Sequence, residues 1–147
     1  MKSRLKIELV QPEATRGLLR LEQFLAQSAI PVLQKELIKI RASQINGCGY
    51  CVNMHTRDAR KHGETEQRMA LICVWREAGD IFTEEEQLLL AITEEITLIH
   101  RGGLSDTLYD RAVASFGEEK TAQIIMAIIT INAWNRLAVS LHKPLEA

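Results

Sequence analysis

Between Ile124 and Ile131 the chain is apolar nearly all the way round a helix. Ile124, Ile125, Ile128, Ile129 and Ile131 fall at successive steps of about 100° and leave almost no polar face. A helix of this kind is the centre of a bundle, a subunit contact, or in a small domain both. It therefore demands helical neighbours, and the rest of the chain offers them. This last helix is expected over roughly 119–141.

Upstream, apolar residues recur at helical spacing and glycines punctuate them. A first helix is expected over about 14–29, with Leu18, Leu21 and Leu25 on one face. A second runs from Pro31 to about Gln44, and Asn46-Gly47 breaks it. A third starts around Cys48 and stops at Gly63. Thr65 can cap a fourth that carries Met69, Ile72 and Cys73. Thr83 with Glu86 forms a capping box for a fifth, which ends before Gly102-Gly103; Ser105 can cap a sixth that ends at Gly117. Pro12, Pro31 and Pro144 fall where a helix can open or close. Strand signals are nearly absent; only Leu5 to Val10 alternates in a strand-like way, and it has no obvious partner. The fold class expected is all-α, a compact bundle of about six to seven helices, in a single domain over 1–147 with no internal repeat or linker.

Charge narrows the function. The net charge is −1 and the 18 Lys and Arg are spread along the chain. Nucleic acid or a membrane surface would need a concentrated basic face, so neither is expected as a partner. Residues 1–10 lack the apolar core of a signal peptide, and no apolar stretch approaches the roughly 20 residues that span a bilayer. Three cysteines, an odd number, argue against a structural disulfide framework. The chain reads as cytoplasmic, where a C-x-x-C pair is catalytic or metal-binding.

That pair opens the richest stretch, Cys48-Gly49-Tyr50-Cys51-Val52-Asn53-Met54-His55. With Cys51 at zero, Cys48, His55, Asp58 and His62 lie at about 60°, 40°, −20° and 20° on one helix face. Arg57, Arg60 and Lys61 point elsewhere. Both sulfurs sit at the first turn, where unpaired N–H groups and the helix dipole favour the thiolate, the reactive form. His55, one turn beyond Cys51, is placed to take its proton or stabilise its anion. If a peroxide oxidises one sulfur to the sulfenic acid, the other can close a disulfide before over-oxidation. On the second helix, Glu36 falls inside the apolar stripe of Val32, Leu33, Leu37 and Ile40. Burial there would raise the carboxyl's pKa towards the range of a proton carrier. The competing account is a stripe-edge glutamate that reaches water or pairs with Arg41.

Glu36, the run Arg41-Ala42-Ser43-Gln44-Ile45-Asn46-Gly47-Cys48, then Cys51 and His55 resemble the signature of the AhpD-like alkylhydroperoxidases of the carboxymuconolactone decarboxylase superfamily. The signature covers about 36–63. The resemblance implies an all-helical fold and hydroperoxide reduction through the dithiol; no cofactor or metal is expected. It implies that Cys51 attacks the peroxide and Cys48 resolves it, while Glu36 and His55 handle protons. It also implies a thiol or dithiol reductant and symmetric homo-oligomers, trimers or hexamers. One position departs from the pattern: Tyr50 stands where the best-known members carry a second His between the cysteines. A phenol is a poor base at neutral pH, which leaves the family's second proton route in doubt.

Two other readings compete. Cys48 and Cys51 with His55 and His62 or Asp58 could form a zinc site that staples a structural or binding module. A non-redox, decarboxylase-type enzyme on the same scaffold would tolerate loss of both cysteines. Elsewhere the plain accounts prevail: Cys73 as an inert core thiol, His62 and His100 as caps of helix ends, and Trp134 as packing.

Overall fold

The computed structural model describes residue 2 and residues 4–145, and within them the architecture is all-helical. The helices are α1 (Ile7–Val10), α2 (Pro12–Ala26), α3 (Val32–Ile45), α4 (Gly49–Lys61), α5 (Glu66–Leu71), α6 (Glu84–Thr97) and α7 (Asp106–Ser140). Short 3₁₀ turns follow α5 and α6.

The starts follow local chemistry. Thr65 Oγ1 accepts from the Arg68 amide, and Ser105 Oγ from the Leu108 amide. Thr83 and Glu86 close a full capping box at α6. The apolar series on α7 resolves into a division of labour. Ile124, Ile128 and Ile131 enter the core, whereas Ile129 is 46% exposed. There they meet Leu37, Ile38 and Ile40 of α3 and Leu88 to Leu90 and Ile92 of α6. Each such fully buried side chain contributes about 1.5–3 kcal/mol relative to its exposed state. Helix α3 lies at the middle, packed on α4, α6 and α7, so it is buried on several sides at once.

Two expectations are corrected, and one open point is closed. Leu5 to Val10, strand-like only in its alternation, forms no strand: its amides turn inward, Val10 N–H to Lys6 O and Gln11 N–H to Ile7 O. The break expected at Gly117 is present: within the span of α7 the backbone leaves helical geometry there, with φ 77° and ψ 164°, so two helices meet across a kink. That backbone state is open to glycine and strained for other residues. By length and composition α7 could also pass for a membrane-crossing helix, contrary to the expectation that no stretch comes close. Its inward isoleucines are accounted for by the core. Finally, Cys73 is exposed rather than in the core. After Leu71 the chain tightens to a 3₁₀ turn over Ile72–Glu77, with about three residues per turn. Ile72 and Trp75 then point inward together, and Cys73 and Val74 are turned out.

Candidate active site

The turn between α3 and α4 sets the sulfurs in place. Cys48 N–H donates to Ser43 O and Gly47 N–H to Gln44 O, the paired bonds that close a helix around a left-handed residue. Gly47, with φ 66°, supplies that residue. The closing residue of α3 is at once the N-cap of α4, because Cys48 Sγ accepts from the Cys51 amide at 3.3 Å. The turn is gripped from α7: Asn46 Nδ2 donates to the side-chain oxygens of Asn132 and Asn135, and Asn135 Nδ2 donates to Ser43 Oγ. Asn135 is fully buried, and these bonds are what permit it.

Cys48 and Cys51 are joined as a disulfide across the first turn of α4, and both are 2% exposed. One turn on, His55 is buried and its Nδ1 lies 2.9 Å from Glu36 Oε2. Glu36 is buried as its helix phase predicts. Pairing with Arg41 is ruled out, since Arg41 bonds Glu94 instead. The other oxygen of Glu36 lies 3.6 Å from Lys39 Nζ. Thus the structure joins Cys48 to Cys51 and His55 to Glu36, with His55 one helical turn beyond Cys51.

Of the two residues grouped with them by helix phase, His62 stands apart and Asp58 lines the same cavity as Cys51 and His55. His62 is exposed at the end of α4, its Nδ1 2.8 Å from Asp58 O, as a cap rather than a site residue. Asp58 accepts from Lys61 Nζ at 3.0 Å. Among the described residues no three His, Cys, Asp or Glu side chains converge as metal ligands. Of the cations set on the opposite face of α4, Arg60 and Lys61 are exposed, but Arg57 is half-buried.

A cavity of about 720 Å³ reaches Cys51 and His55 but not Cys48. Met54, Ile131, Trp134 and Leu137 give it an apolar wall, and Glu22 and Lys39 add charge. The two ends of the chain close one side: Arg4 N–H and its guanidinium donate to the carbonyls of Leu141 and Ser140, and the cavity wall runs from Arg4 to Glu8. Tyr50 also lines it, with Lys143 Nζ 4.2 Å from its ring centre. Sequence reasoning missed Glu22, Lys39 and Trp134. Only Lys39 had a local signal, three residues after Glu36 on one helix.

An all-helical scaffold that opens a C-x-x-C helix beside a buried carboxylate–imidazole pair is AhpD-like in architecture. The chain belongs to the carboxymuconolactone decarboxylase family, whose model matches residues 12–95. It is similar to the uncharacterized protein YdfG of Bacillus subtilis (strain 168), 40% identical over 141 residues that cover 96% of this chain and 95% of that one. The crystal structure of ATU0492 from Agrobacterium tumefaciens, a protein of unknown function described as a candidate antioxidant defence protein AhpD, superposes with a TM-score of 0.93 at 36% identity over 99% of both chains. The debrominase Bmp8 shares the fold, with a TM-score of 0.80 at 20% identity over 92% of this chain and 73% of that one.

Proposed function

We propose that this protein is a thiol-dependent hydroperoxide reductase that works through the Cys48–Cys51 dithiol, with Glu36 and His55 as its proton relay. The observation that carries this is the buried 2.9 Å contact between His55 Nδ1 and Glu36 Oε2, one turn from a sulfur at the wall of a cavity. A carboxylate that accepts from Nδ1–H leaves the lone pair of neutral imidazole on Nε2, free to take the Cys51 proton.

In the reduced protein the Cys51 thiolate attacks the terminal oxygen of ROOH. The O–O bond breaks, the leaving alkoxide takes a proton to depart as ROH, and Cys51 becomes the sulfenic acid. The Cys48 sulfur then displaces the hydroxyl, which leaves as water with the Cys48 proton, and the S–S bond forms. A cellular dithiol restores both thiols by exchange, giving up two electrons and two protons. A reducing cytoplasm would supply it. That Cys51 lines the cavity and Cys48 does not supports Cys51 as the attacking sulfur. The volume of about 720 Å³ favours a hydroperoxide with an organic body over hydrogen peroxide alone.

The deciding experiment is Cys51→Ser in the reduced protein with an organic hydroperoxide. Turnover falls to background while far-UV dichroism is unchanged. Undiminished turnover would refute the dithiol mechanism and favour a decarboxylase-type enzyme, for which both cysteines are dispensable. Stoichiometric zinc with thiols masked until chelation would favour the stapled module instead.

We further propose a homo-oligomer, a trimer or hexamer by family resemblance. A groove of about 520 Å³ lined by Ile96, Ile99, Leu104, Ile125 and Ile129 supports it. Ile99 is 60% exposed there, an unusual cost for a surface to carry alone.

A further inference from the structure

The relay beside the dithiol does not end at Glu36. Lys39 Nζ lies 3.6 Å from Glu36 Oε1 and 3.6 Å from Glu22 Oε2. The remaining oxygen of Glu22 accepts from Trp134 Nε1 at 3.1 Å. A chain of polar contacts therefore links α4, α3, α2 and α7 in the order His55, Glu36, Lys39, Glu22, Trp134. The Lys39 side chain is only 15% exposed, and that of Glu36 11%.

We infer that Lys39 is a positioning residue for the dithiol: its ammonium, held in place by Glu22, pairs with the Glu36 carboxylate and thereby selects the His55 tautomer whose Nε2 is free. This rests on the proposed role of His55 as the base for Cys51. The reason is the protonation of the carboxyl group. An ionised Glu36 can only accept, so it requires the proton on Nδ1. A protonated Glu36 can donate to Nδ1, which moves the imidazole proton to Nε2 and leaves Cys51 without a base. A nearly sealed carboxylate needs a compensating charge, and Lys39 Nζ lies 3.6 Å from its free oxygen.

Other charged groups stand around this chain. Lys35, on α3, donates to Leu25 O at 2.9 Å, and its ammonium also lies in the field of Glu36, Glu22 and Lys39. Asp58, on α4, pairs with Lys61 and lines the cavity beside His55. From the terminal segments, Arg4, Lys6, Glu8 and Lys143 line the cavity, as do the phenol of Tyr50 and the Cys51 sulfur. Helix α7 contributes Trp134, which carries no titratable group.

The test follows the reactivity of Cys51 itself, so it needs no substrate. In a Cys48→Ser background, reduced protein is alkylated with iodoacetamide across pH 5–9, and modification at Cys51 is read by peptide mass spectrometry, which separates it from exposed Cys73. Lys39→Met removes the charge. It is expected to move the acid limb of the profile up by about one pH unit, roughly a tenfold slower alkylation on that limb. Lys39→Arg restores the parent profile, and Glu22→Gln gives a smaller shift in the same direction while leaving Lys39 in place. In a Glu36→Gln background, Lys39→Met adds no further shift. A Lys39→Met profile that overlays the parent would overturn the inference. So would a full shift that persists without the Glu36 carboxylate, since Lys39 would then act directly on the sulfur. If hydroperoxide turnover is absent but the alkylation shifts occur as stated, the reductase fails and the positioning role stands.

Discussion

At position 36 an acid occupies a place that its helix phase marks as apolar. On its own helix Lys39 stands 3.6 Å from it, Arg41 turns to Glu94, and the imidazole that meets Glu36 comes from the next helix. Such an acid is tolerated only when partners satisfy both oxygens, and those partners are His55 and Lys39. Glu36→Gln keeps the shape but can no longer hold His55 Nδ1–H through a charge. It should lower hydroperoxide turnover about 10²-fold or more and alter the acid limb of its pH profile, measured by peroxide consumption from pH 5 to 9. An unchanged profile would return Glu36 to a packing role. This much was visible in the sequence, since an acid in an apolar stripe and a C-x-x-C followed by His are short-range patterns. Lys39, Glu22 and Trp134 were not, because their meaning depends on three helices that meet at the cavity.

Helices in this fold are anchored to each other by buried polar groups as much as by apolar faces. Glu94 on α6 is the clearest case: it accepts from Arg41 of α3 and from Trp75 and Arg76 of the 3₁₀ turn. Burial pushes its carboxyl up, yet the bonds from Trp75, Arg76 and Arg41 outweigh burial and hold it below the ordinary value. The sign of the linkage follows. A folded-state pKa below the unfolded one adds stability that is complete above the unfolded value, about 4.3, and is lost as pH falls through the folded one. Glu94→Gln is therefore expected to cost about 2–3 kcal/mol at neutral pH. The gap from the parent should narrow below about pH 4, read by urea melts at each pH. A gap that is constant with pH would mean the charge is not what matters. Neither this cluster nor the Asn46, Asn132 and Asn135 grip on the site turn was evident from spacing, because the bonds of the first span 18 to 53 positions and those from Asn46 span 86 and 89. The 3₁₀ turn that exposes Cys73 escaped for a different reason. A change of helix type shifts every later side chain round the axis, and no residue in Ile72–Glu77 announces it.

At the scale of the whole molecule, one apolar helix face has found its partner and another has not. Ile124, Ile128 and Ile131 meet α3 and α6 in the core, while Ile129 and Ile99 are left at an open groove. Ile129→Asp should leave the monomer's core intact but break the proposed oligomer, seen as a fall in mass by light scattering coupled to size exclusion. An unchanged mass would place the subunit contact elsewhere. The sequence by itself determined the helical class, most helix starts, and the shared face of Cys48, Cys51 and His55 on one helix, because helix phase and capping act over a few neighbouring positions. Only the tertiary structure decided which isoleucines are core, that Cys51 rather than Cys48 reaches the cavity, and that Glu36 is tied to His55 and Lys39. Those outcomes depend on distances between helices, and an interhelical distance is set by how all the side chains pack at once rather than by any single stretch of chain.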